Sequence, residues 1–176
     1  MATHRLPSIC RVARPNSETL PMPLTSVLRP PIIGAFLLAT AVATVLATLV
    51  QTQFNLAEIT ALGVEVPAAL RLRTTGQDLL GFTRTIGPIA LCILLLALPI
   101  ATWIARRHGY RLLLCFLAGG VGFYAAMGVI DAFAPMPTLI AATRGAAGKL
   151  SMALAMGVGA AVFALASPRI RTGRAS

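Results

Sequence analysis

The chain reads as an all-α integral membrane protein, a four-helix transmembrane bundle with a short structured exterior segment between its first and second spans. Two observations carry that expectation. Of its 176 residues 57% are hydrophobic and only 11% charged, and the mean hydropathy is +0.82, too little polar surface for a water-soluble globule. The apolar residues also gather into four long runs, Ile32–Val50, Ile86–Ala105, Leu112–Ile130 and Leu150–Ala166, with no charged side chain in any of them. At 1.5 Å rise per residue, about 20 residues cross a ~30 Å hydrocarbon layer.

The central pair of runs sets the orientation. Ile86–Ala105 and Leu112–Ile130 are joined by Arg106-Arg107-His108-Gly109-Tyr110-Arg111, and basic residues in a short loop resist translocation, so this tip is expected in the cytoplasm. Both termini then fall inside. Arg5, Arg11, Arg14 and Arg29 of the N-terminal extension and Arg169, Arg171 and Arg174 of the tail share that side, against Arg71, Arg73, Arg84, Arg144 and Lys149 outside. A net charge of +10 would point to nucleic acid in a soluble chain; here the basic residues flank apolar runs, where they set topology and meet anionic headgroups, and no nucleic-acid partner is expected.

Residues 1–31 carry those arginines, several prolines and one acid, Glu18, without a sustained apolar period, and are expected to form a disordered basic extension. Low acid content also fits a transit peptide, although no amphipathic helix accompanies it. Met22-Pro23-Leu24, followed by Arg29 and an apolar run, reads as a complete N-terminus by itself. The run from Ile32 is longer than the core of a secretory signal, which predicts a retained anchor. In it Ala39, Ala43 and Ala47 form a small-residue strip beside Thr40, Thr44 and Thr48, whose hydroxyls can bond back to their own helix.

The exterior segment 51–85 carries several local signals. Asn55 and Glu58 have capping-box spacing ahead of Ile59 and Leu62, with Gly63 as a stop, which predicts a short interfacial helix. Val64-Glu65-Val66 and Leu70-Arg71-Leu72 alternate around Pro67 and predict a hairpin pairing Glu65 with Arg71. Thr75 with Asp78 predicts a cap for a helix over 77–82.

The strings Val50-Gln51-Thr52-Gln53-Phe54-Asn55-Leu56, Thr75-Gly76-Gln77-Asp78-Leu79-Leu80-Gly81-Phe82 and Ala141-Ala142-Thr143-Arg144-Gly145 resemble those of small four-span bacterial membrane proteins without an assigned activity. The resemblance spans roughly Leu28 to Ala166. It implies the span count and a bacterial inner membrane, and it transfers no function.

In the second span Pro99 removes a helical hydrogen bond and is expected to bend the helix near Leu95, with Trp103 an interfacial anchor at the inner end. The third span offers Ala118, Gly122 and Ala126 at four-residue spacing, and the fourth Ala153, Gly157 and Ala161, with a second strip of Ser151, Ala155 and Gly159. Such strips let helices approach closely, so the third and fourth spans are expected to pair. Gly119-Gly120-Val121-Gly122 lies within a span and reads as packing, not as a phosphate cradle. Between these spans, exterior segment 131–149 turns at Pro135 and Pro137, and Asp131 and Arg144 are expected to pair where the chain leaves and re-enters the membrane.

The chemistry these residues exclude is broad. His4 and His108 lie outside the spans, so no intramembrane pair is present to hold haem, and no cluster suits a metal. No span carries a mid-membrane Asp, Glu, Lys or Arg of the kind proton relays use. Cys10, Cys92 and Cys115 have no metal-ligand spacing and are expected to be reduced. With no matched nucleophile and base, no enzyme and no cofactor is expected. The candidate interaction residues are the outer-face set Gln51, Arg71, Arg73, Asp78, Asp131 and Arg144, in which an arginine fork could take a lipid phosphate or a partner's acid. The expected role is a structural or accessory subunit of a membrane complex; the alternative is a small oligomeric transporter or lipid-handling protein. The expected partners are the lipid bilayer and either a membrane protein or further copies of the chain.

Overall fold

In the computed structural model the structure describes residues 30–133, 143 and 145–168. These form five helices: α1 (Pro30–Ala61), α2 (Ala68–Gly81), α3 (Thr83–His108), α4 (Arg111–Phe133) and α5 (Ala146–Ala166). α1, α3, α4 and α5 are each long and apolar enough to cross a membrane, and they enclose the four expected spans. Neighbours run antiparallel in a closed ring, α1 against α3, α3 against α4, α4 against α5 and α5 back against α1. α2 lies beside α1 and α3 at one end, called the outer end here.

α1 is built to be approached. Ala39, Ala43 and Ala47 are fully buried, and a Cβ on Gly159 of α5 would sit 2.7 Å from the Ala43 Cα and 2.9 Å from the Ala39 carbonyl oxygen. Only hydrogen at Gly159 permits that backbone approach. The adjacent strip consists of buried threonines that satisfy themselves. Thr40, Thr44, Thr48 and Thr52 donate to the carbonyls of Phe36, Thr40, Thr44 and Thr48 at 2.9, 2.7, 2.9 and 3.0 Å. Thr44 faces Gly87 of α3, so the two strips of α1 serve two different neighbours.

α4 and α5 meet as closely, though through a register one residue away from the expected one. A Cβ on Gly119 would lie 2.6 Å from the Ala160 Cβ and 2.8 Å from the Met156 carbonyl oxygen. One on Gly120 would lie 3.2 Å from the Ala153 carbonyl oxygen, and one on Gly157 2.9 Å from that of Phe116. Gly122 instead turns to α3, where Ile93 and Ala97 approach it. Of the strip Ala118, Gly122 and Ala126, Gly122 thus meets α3, and Ala126 borders the α3–α4 groove. On α5, Ala153 and Gly157 meet α4 while Ala161 is half-buried and Ala160 makes the contact. Residues one apart differ by about 100° around a helix, and spacing reveals a strip without revealing which neighbour it faces.

Two further corrections fall in the exterior segment. The expected interfacial helix after Asn55 is the uninterrupted end of α1, which stops where Gly63 takes φ +85°. The expected 64–72 hairpin does not form. Ala68-Ala69-Leu70-Arg71-Leu72-Arg73 is a run of strong helix formers, and helix begins there, with the Arg71 amide donating to the Pro67 carbonyl at 3.0 Å. Thr75 consequently lies inside α2, donating back to the Arg71 carbonyl at 2.8 Å instead of capping. A single residue, Phe82, separates α2 from α3. Pro99 lies within continuous α3, on its exposed side.

At the inner end α3 stops at Gly109, whose φ of +81° suits glycine and whose amide donates to Ala105 at 2.8 Å. Arg106, Arg107 and His108 occupy the last turn, where cations complement the helix dipole. The Arg107 guanidinium lies 5.2 Å from the Trp103 ring centroid.

Candidate functional site

The polar groups of the outer end divide into two small assemblies. In the first, α1 brings Thr48, Gln51 and Thr52 to its buried face, with Gln51 2% exposed and the two threonines fully buried. α2 turns Arg71 and Asp78, seven residues apart and hence on one face, towards α1. The Thr52 hydroxyl lies 2.9 Å from the Asp78 carboxylate as well as 3.0 Å from the Thr48 carbonyl. One proton serves two acceptors, so it bridges α1 to α2 at some cost to its bond within α1. About two turns further out, Arg71 Nη2 donates to Thr60 Oγ1 at 3.2 Å, and Thr60 donates to the Leu56 carbonyl at 2.8 Å. Arg71 and Arg73 are therefore separated: Arg71 is docked on α1, whereas Arg73 is exposed and makes no hydrogen bond or ion pair with the described residues.

The second assembly joins the end of α4 to the start of α5. Lys149 Nζ lies 2.9 Å from Asp131 Oδ2 and 5.6 Å from the Tyr124 ring centroid. Asp131 thus pairs with Lys149; Arg144, its expected partner, lies outside the described residues. A signal for Lys149 was present. A cation in the first turn of a helix opposes the helix dipole, and an acid nearby offsets that. Thr143 is buried close in sequence to this pair.

A third contact, at the inner end, went unexpected. Arg111, at the start of α4, donates to the Ser167 side chain and, at 3.3 Å, to the Ser167 carbonyl, while the Ser167 hydroxyl donates to Phe163. A guanidinium here satisfies carbonyl capacity at the end of α5 that the helix leaves open. Its signal was the serine before Pro168, a helix stop that leaves a polar group beside a basic turn.

Among the described residues every buried side-chain nitrogen and oxygen has a hydrogen-bond partner. No three His, Cys, Asp or Glu side chains among them come together. Cys92 is exposed and Cys115 buried, both as free thiols. The polar clusters described here thus join helix to helix. Concave surface lies elsewhere, in an apolar groove of about 420 Å³ between Pro88, Ile89 and Cys92 of α3 and Ala126, Val129 and Ile130 of α4. A second, of about 220 Å³, runs between α4 and α5 beside Tyr124 and Leu150.

No protein-family model, curated protein or solved structure matches the chain.

Proposed function

We propose that the chain is a structural or accessory subunit of a bacterial inner-membrane complex, related to the small four-span proteins its outer segments resemble, with both termini in the cytoplasm. The observation that supports this reading is the surface of the outer cap. α1 has 32 residues and is about 48 Å long, so it outruns a ~30 Å hydrocarbon core, and its last turns stand beyond the core together with the start of α2. There the polar face of α2 is turned inward onto Thr52 and Thr60, and leucines are turned outward: Leu62 is 83% and Leu72 79% exposed, with Val64 between them in sequence at 53%. Apolar side chains beyond the acyl layer gain from a protein surface that covers them. The small-residue faces of α5 are engaged by α1 and α4 of the same chain, which leaves the cap as the favoured docking surface.

Purification of the full chain from its native membrane in mild detergent tests the reading. A stoichiometric larger membrane protein is expected to copurify and to be lost on Leu62→Ser combined with Leu72→Ser, with the helical content of the chain retained. A monodisperse homo-oligomer carrying bound lipid would instead support a transporter or lipid-handling role. For orientation, a reporter active only in the cytoplasm should give signal when fused at Gly109 and none near Gly76.

A further inference from the structure

We infer that the groove between α3 and α4 is a phospholipid site, with the acyl chain lying in the groove and the phosphate held by Arg84. This rests on the membrane assignment and is independent of the accessory role.

Three features of the molecule carry it. Arg84, Pro88 and Cys92 are spaced four residues apart along continuous α3 and so occupy one strip, which places Arg84 one turn outward of the groove's first lining residue. Helical side chains lean towards the helix N-terminus, so the guanidinium reaches further out still, away from the acyl layer. Along the axis Arg84 stands about 6 Å above Pro88 and 12 Å above Cys92, which matches a headgroup layer several Å thick lying over hydrocarbon.

Charge at the groove mouth is favourable. Arg84 is exposed and makes no hydrogen bond or ion pair with the described residues, so its fork is open to a phosphate. The acid beside the α4 wall of the groove, Asp131 next to Ile130, is engaged by Lys149 and opposes an anion less than a bare carboxylate would. The groove itself has an identifiable origin. Deeper in the bundle Gly122 admits Ile93, whose Cγ2 would lie 3.1 Å from a Cβ at that position, and the helices close there. One turn outward Ala126 is too short to fill the space opposite Ile89 and Cys92.

The test is photolabelling of the full chain in vesicles of phosphatidylethanolamine and phosphatidylglycerol containing a trace of phospholipid with a diazirine in its acyl chain. Peptide mapping is expected to find adducts concentrated on the Pro88–Ile93 and Ala126–Ile130 segments over the exposed Leu96 and Ile100, which line neither groove. Arg84→Gln should lower groove labelling about fivefold, equivalent to ~1 kcal/mol, while Arg73→Gln leaves it unchanged. Ala126→Phe, which fills the groove, should lower it with Arg84 intact. Labelling spread evenly over the exposed faces, or groove labelling indifferent to Arg84→Gln, would each overturn the site.

Discussion

The seams made by α5 differ in kind from the seam between α3 and α4. On both sides of α5 the contact is backbone against backbone: Gly159 on Ala43 and Ala39, Gly119 on Ala160 and Met156, Gly157 on Phe116. Between α3 and α4 the contacts at Gly122 are with side-chain methyls, Ile93 Cγ2 and Ala97 Cβ, and outward of them the helices leave a groove. Water does not drive helices together inside a bilayer, so close packing and interhelical bonds must do so. A seam closed by glycine has surrendered its freedom to accept anything else. One closed by side-chain methyls still has room.

Two glycine-to-alanine changes put that difference to the sharpest test. In Gly159→Ala the new methyl meets the backbone of α1, which can yield only if the two helices separate, and a loss of about 3 kcal/mol is expected, at the upper end for overpacking. In Gly122→Ala the methyl meets the Ile93 Cγ2 methyl at 3.1 Å and the Ala97 Cβ at 3.5 Å, side-chain contacts relieved by a shift of a few tenths of an ångström, and helix propensity favours alanine by roughly 0.5–1 kcal/mol. The net change should lie within 1 kcal/mol of zero. Unfolding of the purified variants in mild detergent measures both. Equal losses would mean that the two seams are alike and the distinction is false.

How far these seams were legible in the sequence depended on what each residue's signal encodes. The four spans were plain from length and hydropathy. The alanine and threonine strips of α1 were plain from four-residue spacing, because their partners need only be close. Which strip of α4 meets α5 was not legible. Ala118, Gly122 and Ala126 mark a small-residue strip, but the contacts with α5 form at Gly119 and Gly120, and the choice is made by how the whole helix is rotated between two neighbours. The exterior segment misled for a different reason. Val64-Glu65-Val66 and Leu70-Arg71-Leu72 alternate as strands do, but the helix propensity of Ala68-Ala69 and of the residues beyond outweighs six residues of alternation that have no sheet to join. Asp131 at the edge of a span needs a cation, and the sequence offers both Arg144 and Lys149 without distinguishing them; Lys149 is the one that meets it among the described residues.

That ion pair gives the second comparison, between a polar tie and a glycine seam across the same two helices. Lys149 and Asp131 retain 19% and 33% of their side-chain exposure, so solvent screens the pair. A double-mutant cycle of Asp131→Ala with Lys149→Ala should return a coupling of about 0.5 kcal/mol. The gain from the Tyr124 ring over Lys149 is expected to survive Asp131→Ala and so stays out of the coupling. A coupling above 2 kcal/mol would place the tie on a par with the seam and require it to be shielded by something beyond the single chain, such as the partner proposed for the cap.

The smallest effect is expected where α4 faces away from both seams. Gly128 has open space where its side chain would be, in contrast to Gly119 and Gly120 on the same helix. Gly128→Ala should therefore leave stability unchanged or raise it by up to about 1 kcal/mol, since alanine loses less conformational freedom in a helix. Because no contact among the described residues depends on that hydrogen, the variant also reports on what lies outside the bundle. Stabilisation in detergent combined with loss of a copurifying partner would mean that another helix approaches α4 at Gly128 as closely as α5 approaches it at Gly119. Stabilisation with the partner retained would leave this face to lipid and confine docking to the leucines of the cap.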